Sequence, residues 1–226
     1  MNAPRQLVLA FEPGANFSRE DFLEGPSNAT ALRLVERWPD WPARVVAIVG
    51  PEGSGKSHLA DIWANKTGAR RLSARALDQT AVPGALATGA LALENVAEPL
   101  DEVALFHLLN LAKEDDATVL LTARAPPAQW AVRLPDLVSR LRALPVVELA
   151  APDDTLLRAV LVKLFVDRQL AVDESLISYL VARIERSFAA ARAAVAALDR
   201  EALRQRRPVT RALAAELFAG AGYPAT

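Results

Sequence analysis

The stretch VVAIVGPEGSGKS, residues 45–57, decides the fold of this chain. Residues 50–57 match the pattern G-x-x-x-x-G-K-S/T at every fixed position. The apolar run before them is typical of a strand buried on both faces, and residues 57–65 can form a helix behind the loop. The spacing therefore predicts a strand, a phosphate-binding loop and the start of a helix, in that order.

The loop carries the residue types that hold nucleotide phosphates. Glycines let consecutive backbone N–H groups turn toward one anion, Lys56 can reach the β and γ phosphates, and the Ser57 hydroxyl can ligate Mg²⁺. We therefore expect ADP or ATP, with Mg²⁺, to bind here. A glycine-rich turn with a solvated lysine is the alternative. The loop residues assigned to the nucleotide are Gly50, Pro51, Glu52, Gly53, Ser54, Gly55, Lys56 and Ser57.

Other apolar runs alternate with helical patterns along the first two thirds of the chain. They cover residues 45–49, 90–93, 119–122 and 146–149, with a weaker run at 70–72. Strands of this kind separated by helices predict a parallel sheet with helices on both faces. A helix is also predicted over 27–38, with Ser27 or Asn28 as its N-cap.

The last third of the chain has no strand signal. Amphipathic helices are predicted over residues 155–168, 174–184, 187–206 and 210–218. We divide the chain into an extended arm at 1–20, an α/β nucleotide-binding domain at 21–151 and a helical lid domain at 152–226.

Composition excludes several classes of site. The 226 residues carry a formal net charge of −1, contain no cysteine and include two histidines. Disulfides, thiolate metal sites and cysteine catalysis are therefore impossible, and a protein that mainly grips nucleic-acid backbones would be more basic. The sequence has no signal peptide and no apolar run long enough to span a bilayer, so we expect a bacterial cytoplasmic protein.

An acidic residue ends the apolar run at 90–93. P-loop enzymes place a Mg²⁺-organising acid at such a strand end, and here we expect Glu94 to serve with Ser57. Asn95 follows where many ATPases carry the carboxylate that orients the attacking water, and an amide cannot act as that base. The pair predicts nucleotide binding with weak hydrolysis, unless these side chains only face solvent.

Taken together, these residues resemble the AAA+ module of the bacterial replication initiator DnaA and, more closely, its short Hda-type regulatory relatives. The segments that carry the resemblance are DFLEGPSN at 21–28, the phosphate loop, LEN at 93–95, LLTARAPP at 120–127, DLVSRL at 136–141 and the Pro-Asp pair at 152–153. The resemblance implies a five-stranded parallel sheet flanked by helices and followed by a small all-α lid. It adds Leu23, His58 and Thr122 to the nucleotide-binding residues, and it makes Arg140 an arginine finger that acts in trans.

The chain departs from the family pattern at three places. Glu94 stands where the regulators carry aspartate, and Ala123-Arg124 stands where the family usually has a polar residue after the threonine region. In the lid, Ala189 aligns with a sensor arginine. Arg186 and Arg192 flank it by about one helical turn and are either substitutes or surface residues. Since the sequence does not continue into a helix-turn-helix domain, we do not expect sequence-specific origin binding.

The amino-terminal peptide QLVLAF, residues 6–11, is similar to peptides that dock on the bacterial DNA polymerase III sliding clamp, the β clamp. The residues assigned to this contact are Gln6, Leu7, Leu9 and Phe11. Burial of Leu9 and Phe11 would contribute roughly 1.5–3 kcal/mol each before association costs. The alternative is an N-terminal strand packed on the protein's own core.

The resemblance implies a nucleotide-bound regulator that docks on the clamp and stimulates ATP hydrolysis by DnaA, with weak ATPase activity of its own. Its partners would be DnaA and the clamp. DNA would be contacted only through the clamp, and no contact with a membrane is expected. A homodimer is possible as well. One alternative is an AAA+ ATPase acting as a helicase-loader-like or remodelling factor, against which Asn95 and the arm argue. A small-molecule P-loop kinase is the other, but no acceptor-binding lobe is evident.

Overall fold

The structure is a computed structural model that describes residues 17–96 and 100–219. In these residues five strands form one parallel sheet in the order β2-β3-β4-β1-β5. The strands are β1 (Val45–Val49), β2 (Arg70–Ser73), β3 (Ala90–Glu94), β4 (Thr118–Ala123) and β5 (Val146–Glu148). All five predicted runs are therefore strands, with ends that differ from the prediction by at most one residue.

Helices lie between the strands in the first part of the chain, and after β5 the described elements are all helices. They are α1 (Ala29–Glu36), α2 (Lys56–Thr67), α3 (Val82–Ala85), α4 (Glu102–Glu114), α5 (Pro135–Arg142), α6 (Asp154–Asp167), α7 (Glu174–Val181), α8 (Phe188–Gln205) and α9 (Arg211–Ala219). Helix α1 begins after its N-cap residue Asn28 and ends at Glu36, two residues before the predicted end; Pro39 disfavours helical backbone at Trp38. Helix α7 ends three residues early, at Val181.

The three central strands of the sheet, β1, β3 and β4, are buried on both faces, as their apolar sequences require. In β1, Val46 and Ile48 pack with α1 and α2, whereas Ala47 and Val49 pack with α3, α4 and α5. This alternation follows from the two-residue repeat of a strand. The α/β fold class is confirmed.

Helices α6 to α9 share a separate apolar core. Its fully buried members include Leu157, Leu161, Phe165 and Leu198. Side chains of Asp153, Asp173 and Ser187 accept hydrogen bonds from backbone N–H groups in the first turns of α6, α7 and α8. We call these four helices the lid; its boundary at residue 151 stays a prediction.

The lid contacts the sheet domain at the phosphate loop and at the segment before α1. The Phe188 N–H donates to the Gly53 carbonyl at 2.9 Å. A Cβ placed on Gly25 would lie 2.9 Å from Leu156 Cδ2, so any larger residue here would have to displace the end of that side chain. No helix within the described ranges is both long and apolar enough to cross a membrane.

Candidate functional site

The phosphate loop turns sharply between β1 and α2. Gly53 and Gly55 have φ angles of +71° and +100°, which non-glycine residues rarely adopt. The loop lies beside the end of β4, because the Gly50 N–H donates to the Ala123 carbonyl at 3.2 Å. The loop thus sits at the carboxyl edge of the parallel sheet, where ligands of open α/β folds bind.

Lys56 is the first residue of α2, and its side chain folds back into the loop. Its Nζ donates to the carbonyl oxygens of Gly50 at 2.8 Å and Pro51 at 2.7 Å. Burial lowers the pKa of Lys56, and the nearby positive charge of Arg124 lowers it further. The ammonium group is therefore held inside the loop, with donor capacity left for an anion.

Two loop hydroxyl groups have no protein partner among the described residues. Ser54 Oγ is buried and makes no hydrogen bond, which is costly unless a ligand or water provides one. Ser57 Oγ is half-buried at the start of α2. Both groups, with the helix N-terminus behind them, fit the oxygens of a phosphate chain.

Asn28 organises the segment before α1. It occupies the predicted N-cap position, but its side chain does not cap the helix. Instead Oδ1 accepts from the Gly25 N–H at 2.9 Å and Nδ2 donates to the Leu23 carbonyl at 2.9 Å. This buried amide fixes the turn that carries Leu23, and sequence reasoning missed the role.

His58 anchors the same segment to α2. Its Nε2 lies 2.8 Å from the Ser18 carbonyl oxygen, and its ring contacts Phe17 and Phe22 with centroids 5.1 and 5.0 Å away. Burial lowers the pKa of His58, against the opposing effect of the Ser18 hydrogen bond. The Phe22 ring in turn lies 3.7 Å from a Cβ placed on Gly55. The structure thus brings His58 and the segment that carries Leu23 together beside Gly55; the nucleotide contacts of Leu23 and His58 stay predictions.

Glu94 is buried at the end of β3 and is paired with a cation. Its Oε1 accepts from Arg71 Nε at 2.9 Å and Nη2 at 2.5 Å, and Arg71 Nη1 donates to Asp61 Oδ1. Burial raises the pKa of Asp61, while Arg71 opposes the rise. Sequence reasoning missed both Arg71, the partner of Glu94, and Asp61, the second carboxylate on Arg71.

This pairing bears on the metal prediction. Within the described residues no group of three or more acidic or histidine side chains is arranged to hold a metal ion. Mg²⁺ needs few protein ligands, but it needs oxygen atoms that are not already neutralised by a cation. With Arg71 on Glu94, the residues present do not fit a Mg²⁺ site that uses this carboxylate. Of the two predicted Mg²⁺ ligands, the Ser57 hydroxyl is the one left without a cation beside it in the described part of the chain.

Thr122 is buried near the end of β4 and accepts hydrogen bonds from backbone N–H groups. Its Oγ1 accepts from the Asn95 N–H at 3.2 Å, and its carbonyl accepts from the Val96 N–H at 2.8 Å. Asn95 has a φ of +56°, a left-handed conformation that asparagine tolerates. These bonds fix the chain directly after Glu94, and a contact of Thr122 with nucleotide stays a prediction.

Arg124 follows β4 and forms an ion pair with Glu52 of the loop. Both side chains are largely exposed, so the pair adds little stability. It nevertheless places a guanidinium group at the mouth of the phosphate loop. The sequence showed the departure at Arg124 but gave no partner for it.

The lid covers the loop through the start of α8. A Cβ on Gly53 would lie 2.9 Å from Ser187 Cβ and 3.0 Å from Ala189 Cβ, and the Phe188 ring lies 3.4 Å from a Cβ on Gly55. Ala189 therefore stands directly against the loop and supplies no charge.

The two flanking lid arginines differ in their surroundings. Arg186 is exposed and pairs with Asp154 at 2.9 Å. Arg192 is half-buried, has no acidic partner in the described part of the chain, and lies 5.9 Å from the Phe17 ring centroid. Burial lowers the pKa of Arg192, and its charge acts on His58. Of the two arginines that flank Ala189, Arg192 is therefore the one without an acidic partner among the described residues.

Arg140 lies in the last turn of α5, away from these loop contacts. It is half-buried, and its guanidinium carbon sits 5.1 Å from the ring centroid of Phe106 on α4. Its neighbour Arg142 is exposed. The assigned clamp residues Gln6, Leu7, Leu9 and Phe11 lie outside the described residues.

The sheet, the loop and the lid define an AAA+ type of fold, which comparison with solved structures supports. Domain III of the Thermotoga maritima replication initiation protein DnaA aligns with a TM-score of 0.78 and 18% identity, over 93% of this chain and 98% of that chain. AMPPCP-bound DnaA from Aquifex aeolicus aligns with a TM-score of 0.68 and 19% identity, over 84% of this chain and 67% of that one.

A motor protein shares the fold as well. The RuvB Holliday junction branch migration motor of Thermotoga maritima aligns with a TM-score of 0.72 and 17% identity, over 90% of this chain and 71% of that chain. No family model and no curated protein matches the sequence. At these identities the likeness establishes the DnaA-related AAA+ fold and leaves the activity to the site itself.

Proposed function

We propose that the chain binds ADP or ATP in the 50–57 loop. The observation that carries this is the loop itself, where a buried lysine, an unpartnered Ser54 hydroxyl and a helix N-terminus converge under the lid. Lys56 would bind the β phosphate, loop N–H groups the phosphate oxygens, and the 22–25 segment would border the base. AMPPCP in the DnaA structure is consistent with this use of the fold.

The lid would sense the phosphates through Arg192. Ala189 carries no charge, and Arg186 is engaged by Asp154, whereas Arg192 is half-buried with no acidic partner in the described ranges. A free guanidinium beside a phosphate loop is suited to bind phosphate oxygens. Lid position would then depend on which nucleotide is bound.

The chain's own hydrolysis would be weak. Asn95 offers an amide in place of a general base, and Glu94 is held by Arg71. This favours a stably nucleotide-bound regulator over a self-contained motor such as a helicase loader or remodelling factor, despite the shared fold with RuvB.

We further propose that the chain docks on the sliding clamp through Gln6, Leu7, Leu9 and Phe11 and stimulates ATP hydrolysis by DnaA through Arg140. The Phe106 ring contacts the Arg140 guanidinium group in the last turn of α5, and this positioned side chain would act as a finger on a neighbouring molecule. An added guanidinium neutralises charge that develops on the γ-phosphoryl group. DNA would be contacted through the clamp, in the bacterial cytoplasm.

Two measurements test the two parts of the proposal. ADP and ATP binding is measured first by calorimetry. ATP-loaded DnaA is then mixed with clamp loaded on DNA and with this protein, and phosphate release is followed. Faster release that requires the clamp supports the proposal, whereas an unchanged rate excludes the regulatory role. Binding of nucleotide without stimulation would leave only the first part standing.

A further inference from the structure

Glu94, the last residue of β3, is paired with the guanidinium group of Arg71. Arg71 lies opposite Ala92 in the β2–β3 register, and Glu94 is two residues beyond Ala92. Residues two apart on a strand share a face, so Arg71 and Glu94 are diagonal neighbours on the face that packs against α2. Asp61, on the helix α2 that begins at the phosphate loop, also contacts Arg71.

The contacts hold the guanidinium from two sides. Nε and Nη2 of Arg71 donate to one oxygen of Glu94, and Nη1 donates to Asp61. Each carboxylate side chain is only 10% exposed, whereas that of Arg71 is 42% exposed. Moving Arg71 aside would leave two buried carboxylates facing each other without a counter-ion, which is strongly unfavourable.

The cluster is also linked to the nucleotide site. Glu94 ends β3, which neighbours β4, and β4 neighbours β1 and its phosphate loop. With strands about 4.8 Å apart, the end of β3 lies two strand spacings, roughly 10 Å, from the end of β1 along the sheet edge. A bare carboxylate there would repel bound phosphates unless a divalent cation lay between them.

We propose that Arg71 is a built-in counter-ion that takes the place of Mg²⁺ at Glu94, so that nucleotide binds this chain with little dependence on magnesium. The inference rests on the proposed nucleotide binding. Arg71 is a positioning residue: it acts on Glu94 and not on the phosphates. Asp61 holds the guanidinium in place from the phosphate-loop helix.

The test compares the dissociation constant of ADP in magnesium with that in EDTA, by calorimetry on the full chain. We expect the ratio to stay below about threefold in the unaltered protein. In Arg71→Met it should rise to about tenfold or more, because the bare Glu94 carboxylate then weakens binding until Mg²⁺ neutralises it. The double variant Arg71→Met/Glu94→Gln should return the ratio to its original value.

Arg75→Met is the matched control, because Arg75 is exposed and makes no polar contact in the described part of the chain. Melting temperatures check folding, and if Arg71→Met does not fold, Arg71→Met/Asp61→Asn carries the same measurement with one buried charge fewer. A large ratio in the unaltered protein, or an unchanged ratio in folded Arg71→Met, overturns the inference while nucleotide binding stands. Absence of binding in both buffers overturns the proposed function and the inference with it.

Discussion

The guanidinium carbon of Arg140 lies 5.1 Å from the centroid of the Phe106 ring. The contact joins the last turn of α5 to α4, and such a cation–π contact contributes about 0.5–1 kcal/mol where it is partly exposed. It also restricts the rotamers of a long side chain. Arg140 is thereby presented from a defined position, whereas Arg142 is simply exposed.

Arg140→Ala should abolish nearly all stimulation of ATP hydrolysis by DnaA while the variant keeps its fold and its own nucleotide. Arginine fingers acting in trans accelerate phosphoryl transfer by about 10³–10⁵, because they neutralise charge that forms in the transition state. Phosphate release from ATP-loaded DnaA with clamp on DNA measures the loss.

Two variants sharpen this first test. Arg142→Ala removes a neighbouring arginine without an aromatic contact and should retain most of the stimulation. Phe106→Leu should give an intermediate loss, because the finger remains but is less well positioned. If Arg140→Ala stimulates as well as the unaltered protein, the finger is misassigned and the chain would act by sequestering its partner.

Lys56→Ala should weaken ADP binding by at least about tenfold, since a hydrogen bond to a charged group contributes about 1.5–3 kcal/mol. The side chain already lies inside the loop, bonded to the carbonyls of Gly50 and Pro51. Lys113→Ala, an exposed lysine on α4, is the control. Equal affinities of the two variants in calorimetry would show that the loop lysine does not bind the nucleotide.

The strands and the phosphate loop can be predicted from the sequence because their signals are local. Each strand is a short apolar run, and the glycines and lysine of the loop stand at fixed spacing. Even the weak run at 70–72 forms β2, although it lies at the sheet edge and is largely exposed. Its two arginines weaken the apolar pattern by which a strand is recognised, but the segment still forms a strand.

The partners of the site residues cannot be predicted in the same way. The contact between Arg71 and Glu94 depends on the register of β2 against β3, which no local pattern encodes. The turned side chain of Asn28 depends on the path of the preceding segment. In the lid, the exact packing of α8 decides that Ala189 touches the loop, and helix periodicity alone does not provide it.

Changing Gln6, Leu9 and Phe11 together to alanine should abolish clamp capture without altering the melting temperature or ADP affinity. The physical reason is the loss of two apolar anchors, each contributing roughly 1.5–3 kcal/mol when buried. Capture of purified variant by immobilised clamp measures the effect. Full capture by the triple variant would exclude the peptide as the docking element, and a lowered melting temperature would indicate that it packs on its own core.

Asp21 and Lys163 join the segment before α1 to the lid, with Nζ and Oδ1 2.7 Å apart. A double-mutant cycle with Asp21→Asn and Lys163→Met should give a coupling free energy of about 0.2–1 kcal/mol near neutral pH. Urea unfolding of the four proteins provides the measurement. Zero coupling would mean that the pair does not stabilise the lid contact.

The same cycle has a defined pH dependence. The hydrogen bond from Lys163, followed by that from Ser18, holds the pKa of Asp21 below its usual value of 3.8. The folded state therefore releases this proton more readily than the unfolded state, so the stabilisation is present above about pH 4 and is lost as pH falls through the lowered pKa. Coupling that persisted at the acid end would contradict the ionic origin of the contact.

Gly53→Ala should detach the start of the lid from the phosphate loop, and Gly89→Ala should not. Both glycines have similar left-handed backbone, with φ of +71° and +74°, so both substitutions carry a comparable strain of roughly 1–2 kcal/mol. Only Gly53 faces the lid: its added Cβ would lie 2.9 Å from Ser187 Cβ, whereas nothing lies within 4 Å of a Cβ on Gly89. Since a Cβ cannot rotate away, helix α8 must shift.

The Phe188 N–H, which donates to the Gly53 carbonyl, should then lose hydrogen-exchange protection in Gly53→Ala alone. Equal protection of Phe188 in the two variants would mean that the added Cβ at Gly53 does not displace the start of α8 from the loop.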